Sequence, residues 1–558
     1  MKLLGAFDEK PYGFNQVKID ISTLNNGVNS YGDFFIKKDK EKILYVIDKK
    51  CDHAGGRLIK KKNKAICFLH GWELNLDNLK YNNSHIEKSS IPFDIQDNTL
   101  KFYAHEGYDL VNPFFKDIHQ DNIEIGWINH ATIIVKSGDF SIVTDPWLFG
   151  PAFITGWWLE GPTNLASIED VKNASCIFIS HNHPDHLHPE TLSIIDKDKL
   201  IITPNFSSKS TEKYLNKLGF INVETVNFSN IYSLSDSVQI SPLKSGDFRE
   251  DSGLYINAGG KELLFTVDSN FLNSHKLPKN ITLLATSFAS GASGYPLIYK
   301  NLTEEQKNKI IRRNKNSTKS EVMNYLKLVK PAYYLPYAGM FMEKAKRDHY
   351  ILKTNKKVLI DEYSDICEAL NIKLIRPDKN VSFFFNNNDD IKIKNTPQNI
   401  KFVENSPEYY ISESKKIHNY SATAILEYFN KSGFKSNQIL QIVPCNDNFV
   451  YTNKPIVYYD FQENLGKLIG INDLCQDVID KKVMIIKVRE EAISFLIKNM
   501  LPWEDLTIGF QARISRYPDT YESEFWYHFT NVYVTNENYR YSPLCGNCSI
   551  INQNKIWV

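Results

Sequence analysis

"CIFISHNHPDHLHPE", residues Cys176 to Glu190, is the stretch on which the reading of the fold turns. Its first half is a short apolar run of the kind that forms a buried strand. Its second half sets His181, His183, Asp185 and His186 in the order His-x-His-x-Asp-His. A tight loop leaving a strand can aim His181 and His183 at one metal while Asp185 and His186 serve a second. The plain alternative is a His-rich surface loop, and the preceding strand and the aspartate weigh against it. His188 reads as a bystander.

The surroundings continue the pattern. "TIIVKSG" and "FSIVTDPW" precede the loop, and "LIITP", "LYINAGGKELLFTVDS" and "ITLLATS" follow it, with Gly259-Gly260 as a hairpin turn. Strands mixed with helices argue for an α/β sandwich with ligands on strand-end loops. The loop itself resembles the signature of the metallo-β-lactamase fold. That resemblance implies a bridging carboxylate at Asp268 and a third ligand in "LKSGDFREDSG", where Asp247 is the best candidate and Asp251 its competitor. Ala338, in "YYLPYAGMF", occupies the slot of the fold's last histidine, so one metal is expected to keep an open position.

A second cluster lies upstream. "CDHAGGRLIKKKNKAICFLHGW", Cys51 to Trp72, holds two clipped pairs, Cys51/His53 and Cys67/His70, beside Gly55, Gly56 and Gly71. Isolated Cys and His are more often core residues than ligands, but clipped pairs are not isolated. Two Cys and two His suit zinc. Cys-x-His is an awkward zinc clip, however, and suits a Rieske 2Fe–2S cluster, with thiolates on one iron and imidazoles on the other. Thirteen residues separate His53 from Cys67, slightly fewer than is usual for such a cluster.

With 558 residues, the chain is too long for one core. The expected architecture is multidomain α+β: an all-β Rieske domain over residues 1–114, an αββα metallo-β-lactamase-like sandwich over 115–385, and an α+β region over 386–558. The polar stretch "FNNNDDIKIKNTPQN" is the candidate linker between the last two. A net charge of +1 offers no field for nucleic acid or an anionic membrane surface. No apolar run is long enough to span a membrane, and the opening residues are too briefly apolar for a leader. Eight scattered cysteines fit a reduced, cytoplasmic compartment. No dinucleotide or nucleotide-triphosphate glycine motif is present, so reducing electrons are expected from a partner.

With these residues in place, the chain resembles the CMP-N-acetylneuraminate hydroxylase family over nearly its whole length. The match runs through "CDHAGG…CFLHGWELNLDNLKY", "DPWLFGPAFITGWWLE", "ISHNHPDHL", "TVDS", "FASGASGYP", "PYAGMF" and "LPWEDLTIGFQARISRYPDTYESEFWYHF". The resemblance implies a monooxygenase that hydroxylates the N-acetyl methyl of CMP-sialic acid to N-glycolyl, using dioxygen. It implies electrons from an NADH-linked reductase through a small b-type cytochrome or ferredoxin, and a mononuclear or dinuclear non-haem iron, with zinc the alternative, held by His181, His183, Asp185, His186, Asp247 and Asp268. Two departures, Asp247 for the family's His and Ser287 for its Asp, leave open another N-acyl or amine substrate. A dimetal hydrolase of the same fold is the competing class.

Other residues carry two readings. Trp147, Trp157 and Trp158 suit either a stacking platform or packing. Arg513 and Arg516 suit phosphate recognition, though a structural role is the plainer one. His130 and Asp145 read as supports of the metal loops, and Cys545 and Cys548 as a pair of reduced thiols.

Overall fold

The computed structural model describes residues 1–6, 14–53, 56–84, 86–105, 118–228, 230–246, 249–386, 391–395 and 401–533. Asp247, Cys545 and Cys548 lie outside the described residues.

Two eight-stranded sheets stack face to face at the centre. One runs in the order Val223–Val226, Leu200–Pro204, Cys176–Phe178, Phe140–Thr144, Thr132–Ser137, Ile123–Asn129, Val381–Phe385, Ile391–Asn395. The other runs Lys2–Ala6, Asn230–Ser233, Val238–Lys244, Ser252–Ala258, Lys261–Phe265, Leu283–Ser287, Tyr333–Tyr337, Lys373–Leu374.

Side-chain alternation explains why the first sheet is covered on both faces. Ile133, Val135, Ile142, Cys176, Phe178 and Ile202 point into the core between the sheets. Their neighbours Ile134, Val143, Ile177 and Ile201 point the other way, into a second core that includes Ile168 and Val171 of helix Leu165–Asn173 and Leu215 of helix Ser210–Lys217. Helix Glu304–Val329 packs against the other sheet through Val322, Leu326 and Val329, and its Thr303 capping box starts it cleanly. The turn at Gly259-Gly260 joins Ser252–Ala258 to Lys261–Phe265, with φ of 54° and 83°, the positive pair that a two-residue hairpin demands.

Residues 14–105 fold, where described, into three small three-stranded sheets without an α-helix. The C-terminal region has a five-stranded sheet, ordered Leu465–Ile469, Ile456–Asp460, Gln438–Cys445, Lys482–Arg489, Ala512–Tyr517, flanked by helices including Ala422–Lys431 and Glu490–Asn499.

Two expectations change in detail. The first strand, Lys2–Ala6, pairs with Asn230–Ser233 at the edge of the sandwich rather than with the small sheets. Ile391–Asn395, inside the polar stretch read as a linker, is an edge strand paired with Val381–Phe385. Such an edge strand has one ladder partner and a solvated face, so its polar composition resembles a loop. No helix among the described residues is long and apolar enough to cross a membrane.

The sandwich and the C-terminal region share one core, in which Trp147, Phe153, Trp157 and Phe341 pack with Phe429, Trp503 and Phe529. Gly156 and Gly509 meet back to back there: a Cβ on Gly156 would lie far inside van der Waals contact with the Gly509 backbone. Gly156→Ala is therefore expected to cost about 1–3 kcal/mol by overpacking. A lowered unfolding temperature and faster proteolysis within residues 401–533 would report it; an unchanged variant would show that this seam is slack.

Candidate metal centre

The strand Cys176–Phe178 runs parallel to Phe140–Thr144, so the residues that follow each strand emerge at the same edge of the sheet. Asp145 follows one strand and Ser180 to His186 the other. Asp145 is fully buried, with φ of 42°, and its carboxylate accepts from Ser180 N–H (2.7 Å), Ser180 Oγ (2.8 Å) and His186 Nδ1 (3.0 Å). This network pins the loop.

Each histidine of the loop is oriented through one ring nitrogen and presents the other inward. His186 gives Nδ1 to Asp145, while its Nε2 has no hydrogen-bond partner and lies 3.4 Å from Asp185 Oδ2 and 3.5 Å from Asp268 Oδ2. His181 has Nδ1 2.9 Å from Ser180 Oγ and 3.4 Å from Asp251 Oδ1. Its Nε2 lies 2.9 Å from Nδ1 of His183. Two imidazole nitrogens on one tetrahedral ion, each about 2.0–2.1 Å from it, stand roughly 3.3 Å apart, a span these two nearly meet. His183 Nε2, in turn, lies 3.2 Å from Glu504 Oε2.

Burial and charge act together here. Burial works against a proton on His186, but Asp185, Asp145 and Asp268 outweigh it and hold its pKa well above the ordinary value. Burial would raise the pKa of Asp185; His186 and His130 overcome it and hold that pKa well down. His181 is pushed well below its ordinary value by burial and by its neighbours His186 and His183. A cluster that concentrates histidines and carboxylates away from water suits a cation that both can share. Among the described residues, two groups have ligand atoms within 4.8 Å of one another: His130, Asp185 and His186, and His181, His186 and Asp268. Asp185 Oδ1, His186 Nε2 and His130 Nδ1 are all buried without a hydrogen-bond partner, so the donor set fits a metal ion.

Five of the six metal-ligand candidates named from the sequence, His181, His183, Asp185, His186 and Asp268, thus converge; the sixth, Asp247, is outside the described residues. Asp251 approaches the nitrogen of His181 that faces away from His183. Ala338 is buried, and its N–H donates to His130 O (2.9 Å) while its carbonyl accepts from Ser287 Oγ (3.1 Å). His130, read as a support of the metal loop, has Nε2 3.1 Å from Asp185 Oδ2. His188 accepts at Nδ1 from Thr191 N–H and donates from Nε2 to Pro151 O, capping the short helix Pro189–Ser193. Glu504 carried no motif of its own and was missed by reading the sequence.

The upstream quartet forms a second pocket. Strands Leu58–Lys61 and Lys64–Cys67 pair with Leu58 opposite Cys67, and Cys51 N–H donates to Gly56 O at 2.7 Å. Cys51 and Cys67 are buried; burial and the neighbouring Cys67 push the Cys51 thiol up, while the nearby Cys51 holds Cys67 down. The rings of His53 and His70 lie 4.7 Å apart at 68°. Burial, with His70 and Arg249 nearby, holds His53 well below its ordinary pKa. Its Nδ1 is buried without a hydrogen-bond partner. A Cβ on Gly56 would stand 2.8 Å from the Cys67 sulfur, so only glycine leaves that space clear. The donor set and this cleared space fit a mixed thiolate and imidazole cluster.

His53 is enclosed by aromatic rings, stacked on Trp72 (4.4 Å, 3°) and met edge-on by Tyr521 (4.9 Å) from the C-terminal region. Other aromatic and basic candidates are absorbed by packing. Trp147 and Trp157 donate to backbone carbonyls of Gly150 and Ile508, and Trp157 stacks on Phe341 at 3.5 Å; Trp158 is buried too. Arg513 lies over Phe449 and donates to the carbonyls of Phe510 and Ala512, and Arg516 pairs with Asp519.

Residues 124–270 match the family model described as a β-lactamase superfamily domain, and the sandwich has the metallo-β-lactamase fold. The chain is similar to the cytidine monophosphate-N-acetylneuraminic acid hydroxylase of Xenopus laevis, 30% identical over 91% of this chain and 92% of that protein. It is 27% identical to the protein of the same name from Danio rerio, over 91% of this chain and 92% of that one. With the mouse protein, Mus musculus, identity is 28% over 91% and 94% respectively. Similarity of this depth along both chains places the protein in the cytidine monophosphate-N-acetylneuraminic acid hydroxylase family.

Proposed function

We propose that this chain is a Rieske-assisted, iron-dependent monooxygenase that converts the N-acetyl methyl of a CMP-activated sialic acid to N-glycolyl. One observation carries the reading: a single chain of a hydroxylase family holds two separate donor sets, thiolate/imidazole and imidazole/carboxylate, each with buried members at its heart. The balanced reaction takes the methyl compound, dioxygen, two electrons and two protons to the hydroxymethyl compound and water. Supplied by an NADH-linked reductase with a small b-type cytochrome or ferredoxin, the electrons need no nicotinamide site on this chain.

In this reading residues 1–114 hold the electron-transfer site, 115–385 the oxygenase site, and 386–558 close both. When bound, a 2Fe–2S cluster supplies one electron at a time and non-haem iron supplies oxygen activation, chemistry that amino-acid side chains lack for an unactivated C–H bond. Cys51 and Cys67 would hold one iron of the cluster and His53 and His70 the other. Trp72 and Tyr521 keep water from His53, which favours the neutral imidazole that ligation requires.

In the sandwich, His181 and His183 would hold iron through Nε2 and Nδ1, with Asp185, His186 and Asp268 flanking it or taking a second ion. Asp145 takes His186 Nδ1 as its donor and so leaves Nε2 as the nitrogen that faces inward for a metal. Ser180 and Asp251 do the same for His181. Ala338 offers no side-chain ligand, and that side stays free for water or oxygen.

Purified anaerobically, the protein should be reddish-brown and, once reduced, give the low-average-g resonance of a mixed His/Cys cluster. Cys67→Ser should abolish that signal and turnover while the sandwich keeps its metal. A colourless protein containing zinc alone would overturn the Rieske assignment.

Turnover with labelled dioxygen should place one labelled oxygen on the acyl methyl of the sugar nucleotide, read by mass spectrometry. His183→Ala should keep a reducible cluster yet lose at least about 100-fold in product, more than loss of an outer partner typically costs. Bond cleavage with oxygen from water would instead establish a hydrolase.

A further inference from the structure

We infer that Glu504, from the C-terminal region, is the positioning residue that fixes the His183 ring with Nδ1 facing the metal. The loop site would then be complete only when the C-terminal region is docked on the sandwich. The inference rests on reading the loop as a metal site.

The loop presents three imidazoles, His181, His183 and His186. A neutral imidazole has one N–H and one lone pair, and the hydrogen bond on one nitrogen decides which is which. His186 and His181 are set from within the sandwich, by Asp145 and by Ser180 with Asp251. His183 differs. Its Nδ1 lies 2.9 Å from His181 Nε2, and its Nε2 lies 3.2 Å from Glu504 Oε2. Among the described residues no other side chain hydrogen-bonds this ring. A carboxylate only accepts, so Glu504 keeps the hydrogen on Nε2 and leaves Nδ1 as the nitrogen that a metal shared with His181 Nε2 would take.

Glu504 is held firmly enough to do this. It opens the short helix Glu504–Ile508, directly after Trp503, which is fully buried in the shared core. Trp503 N–H donates to Phe529 O (3.1 Å) and its Nε1 to Tyr428 OH (2.9 Å). At the far end of the helix Ile508 O accepts from Trp157 Nε1 of the sandwich at 3.0 Å, and Gly509 seats against Gly156. With helix and loop each tied to the same seam, the carboxylate reaches His183 across 321 residues of sequence.

The test uses full-length protein, cleared of metal in the sandwich by chelation, with its cluster oxidised and magnetically silent. Mn(II) is titrated in and free ion read from its six-line resonance. Glu504→Ala should weaken binding about 10–100-fold, the usual cost of losing an outer partner of a ligand. Glu504→Gln should restore most of it, since the amide oxygen still accepts from Nε2–H. Glu504→Met fills the same space without an acceptor and should behave as Glu504→Ala does; it carries the comparison if the smaller variant misfolds by circular dichroism.

Wild-type affinity in Glu504→Ala or Glu504→Met would overturn the inference and leave the metal reading standing. A Gln variant as weak as Ala would also overturn it, because the carboxylate would then act through its charge rather than as an orienting acceptor. Failure of the wild type itself to bind Mn(II), Fe(II) or Zn(II) would overturn the metal reading, and the inference with it.

Discussion

A carboxylate with no exposure to water, Asp145, is the constraint from which the site is built. Burying such a charge is costly unless hydrogen bonds replace its hydration. The Asp145 side chain receives three, from Ser180 N–H, Ser180 Oγ and His186 Nδ1, while its backbone N–H donates to Phe178 O and its carbonyl accepts from Thr132 Oγ1. Those five contacts tie together the ends of three adjacent strands. The loop from His181 to His186 has little freedom once they form, and the inward ring nitrogens follow from the outward ones.

The sandwich is necessary but does not close the chemistry by itself. Both donor sets are completed by residues about seventeen positions apart near the end of the described chain, Glu504 against His183 and Tyr521 against His53. Tyr521 is itself anchored to the small β region, with its N–H on Asn83 O (3.2 Å) and its carbonyl accepting from Ser84 Oγ (3.3 Å). On the other side, Ser317 of helix Glu304–Val329 donates to the carbonyls of Phe68 and Leu69 in the cluster loop. The two sites are therefore held by one connected frame. Tyr521 packs against both the core shared by the sandwich and the C-terminal region and the smaller core around Cys51 and Cys67.

Much of this was legible in the chain because the determinants are local. Histidine spacing in a six-residue loop, paired glycines at a hairpin and alternating apolar residues are fixed by covalent geometry and strand pleat, so they pointed to the sandwich, its histidine loop and the Gly259-Gly260 turn. Where local cues were ambiguous, packing decided. Three tryptophans beside Gly and Pro looked equally fit to stack a ligand, and their burial with carbonyl partners for two of them made them core. Arg516 could have read phosphate, but Asp519, three residues on, takes its guanidinium. A polar stretch read as a linker supplies an edge strand, because an edge strand needs only one ladder partner and this one is exposed along most of its length.

By itself the sequence determined which donor atoms this protein owns and which of them sit near one another: four in the Cys/His clips and four in the His-x-His-x-Asp-His loop. Tertiary structure alone decided which nitrogen of each imidazole faces inward and which remote side chain holds it there. Asp268 meets His186 across 82 residues, and Glu504 meets His183 across 321. The physical reason is one of range. A loop's spacing is set by bond lengths and turns, whereas a hydrogen bond between distant segments exists only after separate cores have packed and brought them within about 3 Å.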